Sequence, residues 1–238
     1  EKFKEIYEAA ERKTSIKKKK IKAIDLFSAF ATERKDTGRI YLMNVDHANT
    51  HGAFIEDIAP IKQSNLCCEI NLPTKPLNDI NDPEGEISLC TLSAINWGII
   101  KDFDEMHKVC NLAVRGLDEL LDYQAYPVLA AELSTMNRRP LGIGIINFAY
   151  WLVKHDMTYQ QPNLELIDEW AEAWSYGLIK ASNELAQEKG ACPKNMETKY
   201  GHGITPNQTY KTDVNELVKN KERQDWKGLR ASLKEHGI

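Results

Sequence analysis

The sequence predicts a helix-rich α/β fold. Three observations carry this expectation. Short runs with strand character, 39–45 and 86–93, alternate with long helical patterns at 102–122 and 163–189. No internal repeat or low-complexity linker breaks the chain. Of the 238 residues, 42% are apolar and 28% charged, which suits one large soluble domain or two small ones.

A net charge of -4 gives no reason to expect nucleic acid or an anionic membrane as partner. No apolar run approaches the roughly 18–20 residues of a membrane span, and the charged start has no signal-peptide pattern. Five cysteines, an odd number with irregular spacing, argue against a secreted disulfide framework and for a reducing compartment. The chain opens at Glu1 within a charged helical pattern, so it is expected to be a piece of something longer.

Residues 1–12 and 15–35 read as two helices, the second with Ser15 as cap and an apolar stripe of Ile16, Ile21, Ile24, Phe27 and Phe30. Lys17, Lys18, Lys19 and Lys20 at its head read as a solvated face rather than a phosphate site or nuclear address, because Asp25, Glu33 and Asp36 follow. Asp36-Thr37-Gly38 reads as a turn, and 39–45 as a strand. His47, Asn49 and His51 alternate after it, and line a loop rather than a metal site for want of a recognisable fourth ligand. Residues 71–85 are rich in turn formers, and 86–93 is the next strand. In 102–122 the stripe is Met106, Val109, Cys110, Leu112, Ala113, Leu117 and Leu120, with Cys110 a buried, inert thiol.

Gly142 and Gly144 begin a dinucleotide-loop pattern, but Asn147 holds the place of its third glycine and no clear βαβ unit surrounds it. These glycines are instead expected to permit close approach. The helix at 163–189 buries Leu164, Ile167, Ala171, Trp174, Leu178 and Leu185 and stops at Gly190; Cys192 and Pro193 follow in a loop. One or two further helices are expected over 213–235.

The most informative segments are Ser64-Asn65-Leu66-Cys67-Cys68-Glu69 and, 23 positions after Cys67, Cys90. In an extended backbone Asn65, Cys67 and Glu69 would share one face over roughly 13–14 Å, with Leu66, Cys68 and Ile70 turned into packing. Four readings of the thiols stand side by side. Free cysteine is often simply buried. Metal binding lacks a CxxC pair and a close histidine. A thiolate nucleophile would need a basic neighbour, whereas Glu69 would keep the thiol protonated. A neutral S–H beside a carboxylate suits a thiyl radical, the carboxylate taking a proton from the same substrate.

Ser64 to Ile70 followed by Leu72-Pro73-Thr74-Lys75-Pro76-Leu77 closely resembles the large catalytic subunit of class I ribonucleotide reductase. So do Leu89-Cys90-Thr91-Leu92-Ser93-Ala94 and Arg139-Pro140-Leu141-Gly142-Ile143-Gly144. Thr37-Gly38-Arg39-Ile40-Tyr41, Asn44-Val45-Asp46-His47, Ala181-Ser182-Asn183-Glu184-Leu185 and Gly190-Ala191-Cys192-Pro193 fit in the same order, from about Ser15 to the C-terminus.

The resemblance implies that 1–238 is one segment of a ten-stranded α/β barrel, with a finger loop at about 60–72. It implies that Cys67 is the thiyl-radical cysteine acting at C3′ of the ribose, Glu69 the general base on the 3′-hydroxyl, and Asn65 the amide that orients the sugar. Ser64, Asn65, Leu66, Cys67 and Glu69 are the implied substrate contacts. Cys90 is implied to be one of two redox cysteines that reduce C2′ and end as a disulfide. Cys68 stands where an apolar residue is usual.

The second redox cysteine is expected before this chain begins. The phosphate-binding segment, the radical-relaying tyrosine pair and the tail cysteines are expected after Ile238, and the ATP cone and effector loops elsewhere. The implied reaction is reduction of ribonucleoside diphosphates for DNA synthesis, with no cofactor or metal held by this chain. A dinuclear metal and tyrosyl radical are expected in a partner small subunit, and ATP or deoxynucleotide effectors on other regions. Implied partners are the remaining large-subunit segments, the small subunit and thioredoxin or glutaredoxin, in the cytoplasm (a host's if virus-encoded). The isolated chain is expected to be inactive. The other reading is a non-catalytic assembly module, with Trp151, Trp170 and Trp174 exposed where missing strands would pack.

Overall fold

A computed structural model describes residues 2–210 and 222–238. The chain divides into two compact units, Glu1–Leu42 and Met43–Ile238. The first holds α1 (Lys2–Arg12) and α2 (Ala23–Thr37). The expected helix 15–35 begins at Ala23, not at a Ser15 cap. Four consecutive lysines at a helix N-terminus oppose the dipole and repel one another. Lys18 instead donates to the carbonyls of Glu11 (2.5 Å) and Lys13 (2.6 Å), satisfying acceptors around the end of α1. The expected stripe is not buried: Ile16, Ile21, Ile24 and Phe27 are exposed and Phe30 is half-buried. Gly38, at φ 66°, closes α2 in the left-handed conformation.

The expected strand 39–45 does not form; Val45 instead begins α3 (Val45–His51). The β-prone run Ile40-Tyr41-Leu42 has no partner strand among the described residues, and strand preference without pairing yields no sheet. On α3, Asn49 is buried and clasps Ile61, donating to its carbonyl (2.9 Å) and accepting from its N–H (2.7 Å). His51 bonds through Nδ1 to the Thr209 carbonyl. Among the described residues no group of three or more His, Cys, Asp or Glu side chains is placed to hold a metal ion.

Two parallel strands form the sheet, β1 (Thr91–Asn96) and β2 (Leu141–Ile146), in register Leu92 to Gly142 and Ala94 to Gly144. β1 begins later than the expected 86–93, because Glu86 is drawn into an antiparallel bridge with Lys75. Parallel strands require a crossover, supplied by α4 (Phe103–Tyr123) and α5 (Leu129–Arg138). A βαβ unit is therefore present, but Gly142 and Gly144 lie in its second strand rather than at its first turn. They accordingly form no phosphate loop. Asn147, at φ 63°, turns the chain into α6 (Phe148–Lys154) and donates to Asn96 Oδ1 at the end of β1 (3.0 Å).

α4 and α7 (Leu164–Lys189) lie within a residue of their expected bounds. Asp102 caps α4 by accepting from the Glu105 N–H (2.8 Å), and Asn163 caps α7 by accepting from Leu166 (3.2 Å). The buried face of α4 is rotated from the expected one: Val114 and Leu121 are buried, whereas Leu112 and Leu120 are exposed. Cys110 is buried there, its thiol pushed up to about 12 by loss of water. Of the expected α7 stripe, Leu164 is exposed. Trp170, Ala173, Tyr176, Ile179 and Leu185 form its buried side.

The main core joins β1, α4, α6 and α7 around Trp97, Trp151 and Trp170, whose rings lie 5.1–5.6 Å apart. Such tilted and edge-on pairs add roughly 0.5–1.5 kcal/mol each beyond burial. Trp151 and Trp170 are buried and Trp174 is half-buried against the same core, so these tryptophans are not the exposed surface that an assembly module would offer. The expected helices over 213–235 fall partly on residues outside those described. The described part is α8 (Trp226–His236), which packs Trp226, Leu229 and Leu233 against Tyr176 and Ile179. No described helix is long and apolar enough to cross a membrane.

Candidate active site

Asn65 to Glu69 is a turn, not the expected extended strand. Asn65 accepts the Cys68 N–H on its backbone carbonyl (3.1 Å) and the Ile70 N–H on its Oδ1 (3.1 Å). The Asn65 side chain thus competes with any strand partner for the backbone. Cys68 sits at φ 63°, a left-handed geometry that a bulky side chain resists, so the two-residue alternation is lost here. Leu66 is 82% exposed rather than packed, while Cys68 and Ile70 are half-buried. Ser64 donates to the Ile70 carbonyl (2.7 Å) and closes the base of the turn.

Asn65 and Glu69 still meet, by a different route. The turn brings Asn65 Nδ2 2.6 Å from Glu69 Oε1, a charge-assisted hydrogen bond. Cys67 is exposed at the tip. A cavity of about 420 Å³ lies on one side of the turn, lined by Ser64, Asn65, Ile70, Thr74 and Ser88. A larger one, about 1150 Å³, is lined by Glu69, Cys90, Ser93, Arg138, Gly142 and Cys192 among others. The structure therefore brings Glu69 and Cys90 to one cavity. Asn65 joins them through its bond to Glu69, and Cys67 lines neither cavity.

Cys90 is half-buried, its thiol raised above 9.0 first by loss of water and second by the Glu69 charge. It rests as S–H at neutral pH. Alkylation of Cys90 is therefore expected to stay slow until the pH exceeds 9.0. Glu69→Gln removes one of the two causes, so it should lower the apparent pKa and speed alkylation at a fixed pH. Mapping Cys90 modification against pH by mass spectrometry checks this; an unmoved profile contradicts the electrostatic link. Cys192 lines the same cavity and is buried, its thiol raised by loss of water, with Lys194, Arg138 and Arg139 acting the other way.

One supporting network has no signature in the sequence. Glu86, only 6% exposed, accepts from Arg138 Nη2 (2.9 Å) and Lys194 Nζ (2.5 Å), while Arg138 Nε reaches Glu197 (3.0 Å). Lys75 Nζ also lies 3.8 Å from Glu86, so two carboxylates meet three cations there. Glu86 also exchanges backbone bonds with Lys75 (both 3.1 Å), joining the exit of the turn to the approach of Cys90. Arg139, which also lines the large cavity, sits at φ 44° and bonds Asp118 (2.6 Å) and Asp122 (2.8 Å).

A family model described as the ribonucleotide reductase barrel domain matches residues 1–238. The chain belongs to that family, and its helix-rich α/β structure with a parallel strand pair accords with part of such a barrel. Among curated relatives, it is 51% identical over 238 residues to the ribonucleoside-diphosphate reductase subunit alpha of Buchnera aphidicola from Acyrthosiphon pisum. It is 53% identical over 239 residues to the ribonucleoside-diphosphate reductase 1 subunit alpha of Escherichia coli. With the subunit alpha of Enterobacteria phage T4 it shares 44% over 243 residues. All of this chain is covered in each case, but only 31% of each relative.

Proposed function

We propose that this chain supplies part of the catalytic site of a ribonucleoside-diphosphate reductase large subunit, acting with the rest of that subunit and a radical-generating small subunit. The observation that carries the reading is the shared cavity of Glu69 and Cys90, with Asn65 hydrogen-bonded to the Glu69 carboxylate. Cys67 at the tip would carry a thiyl radical and take the hydrogen from C3′ of the ribose. Glu69 would accept the 3′-hydroxyl proton, and Asn65 would orient the sugar. Cys90, kept as S–H by burial and by Glu69, would deliver reducing equivalents at C2′ together with a second thiol. Exclusion of water from the turn by the rest of the subunit would favour this chemistry, because a radical is then protected from side reactions. Thioredoxin or glutaredoxin would restore the thiols, and the setting would be the cytoplasm.

The test is Glu69→Gln in the holoenzyme. Turnover is expected to fall about 10²–10⁴-fold, the usual share of a general base, with nucleotide affinity retained. Turnover at the parent rate would remove Glu69 from the reaction.

A further inference from the structure

The geometry points to Gly142 as a positioning residue for the Cys90 thiol. This rests on the reading of Cys90 as a redox cysteine. Cys90 immediately precedes β1, Leu92 is two residues on within it, and both side chains reach the same space over Gly142. In the parallel register Leu92 lies beside Gly142 of β2, and all three line the large cavity. A Cβ on Gly142 would lie 2.8 Å from Cys90 Sγ and 2.4 Å from Leu92 Cδ2. The sulfur and the leucine thus occupy the space that any side chain at 142 would fill. The other glycine of β2, Gly144, has only Ser93 O at 4.0 Å from such a Cβ.

No positive φ demands glycine at 142, so backbone strain does not explain it. The missing side chain has a chemical consequence. Cys90 must present S–H to the substrate and afterwards meet a second sulfur. The step forms one S–S bond while two S–H bonds break, and the two electrons and protons go to the nucleotide, whose 2′-hydroxyl leaves as water. Disulfides form only within a narrow torsional range, so the sulfur has to move within its pocket. Gly142 leaves it that room.

The experiment compares Gly142→Ala, Leu92→Ala and the double variant in the holoenzyme by steady-state kinetics, and Cys90 oxidation in a single turnover of the same variants with the tail cysteines replaced by serine. Leu92→Ala removes the closer clash and leaves the contact with sulfur. The double variant, read against Leu92→Ala alone, is expected to lose about a hundredfold in kcat at unchanged KM, as for an ångström of misplacement. Cys90 oxidation should slow in parallel. Activity of the double variant equal to that of Leu92→Ala would overturn the proposal and reduce Gly142 to a packing residue. Cys90→Ser run alongside separates the two failures: full activity there would sink the redox reading itself, whatever Gly142 does.

Discussion

Replacing Cys67 with serine should abolish nucleotide reduction in the holoenzyme, by more than about a thousandfold in kcat, with substrate affinity nearly unchanged. Serine is nearly isosteric, and Cys67 is exposed at the tip of its turn, so the substitution removes little packing. What changes is bond chemistry. An O–H bond is far stronger than S–H, so an alkoxyl radical does not form where a thiyl radical does. Residues that act as a unit lose nearly the whole effect when one is removed, so no partial activity should remain. Steady-state assay of Cys67→Ser beside the parent, with nucleotide binding measured separately, makes the comparison. Turnover above a tenth of the parent rate would refute the radical assignment. Loss of binding together with turnover would point instead to a collapsed turn.

The second large effect concerns stability. Glu86→Ala should destabilise the protein by about 3–5 kcal/mol, because buried Arg138 and half-buried Lys194 would then share Glu197 alone, leaving an excess positive charge in the interior. Burial by itself raises the Glu86 carboxyl, but hydrogen bonds from Lys194 and Arg138 outweigh it and hold the pKa below the ordinary 4.5. A depressed folded pKa means that the stabilisation is fully present above 4.5 and lost as the pH falls through the lower, folded value. The gap between parent and variant should accordingly be wide at neutral pH and narrow in acid. Urea unfolding of both at a series of pH values measures it. A difference within about 0.5 kcal/mol at neutral pH, as for an ordinary surface site, would contradict the account.

The helices that position the site were legible because their signals are local. Asp102 and Asn163 cap α4 and α7, Gly190 ends α7, and the 3.6-residue period runs through both. The rotated face of α4 was less legible: Leu112 and Leu120 look as apolar as Val114 and Leu121, and only the position of α7 chooses between them. Strand assignments failed where pairing decided the outcome. Ile40-Tyr41-Leu42 found no partner among the described residues, and Glu86 was claimed by Lys75 before β1 began.

At the site, the association of Asn65 with Glu69 was anticipated, but for the wrong geometric reason. A strand would have aligned their side chains on one face. The observed turn does so by capping its own backbone with the Asn65 amide. Glu86 and Arg138 are 52 positions apart, and no periodicity or motif links them. Gly142 was legible only as a site of close approach; that the approaching atom is the Cys90 sulfur required the register of β1 on β2.

The most direct measurement is a single turnover of pre-reduced holoenzyme whose tail cysteines are replaced by serine, so that no thiol can reduce Cys90 again, with product and Cys90 oxidation state quantified together by mass spectrometry. One Cys90 should enter a disulfide for each deoxynucleotide released. Deoxynucleotide formed while Cys90 remains a free thiol would contradict the assignment at its centre.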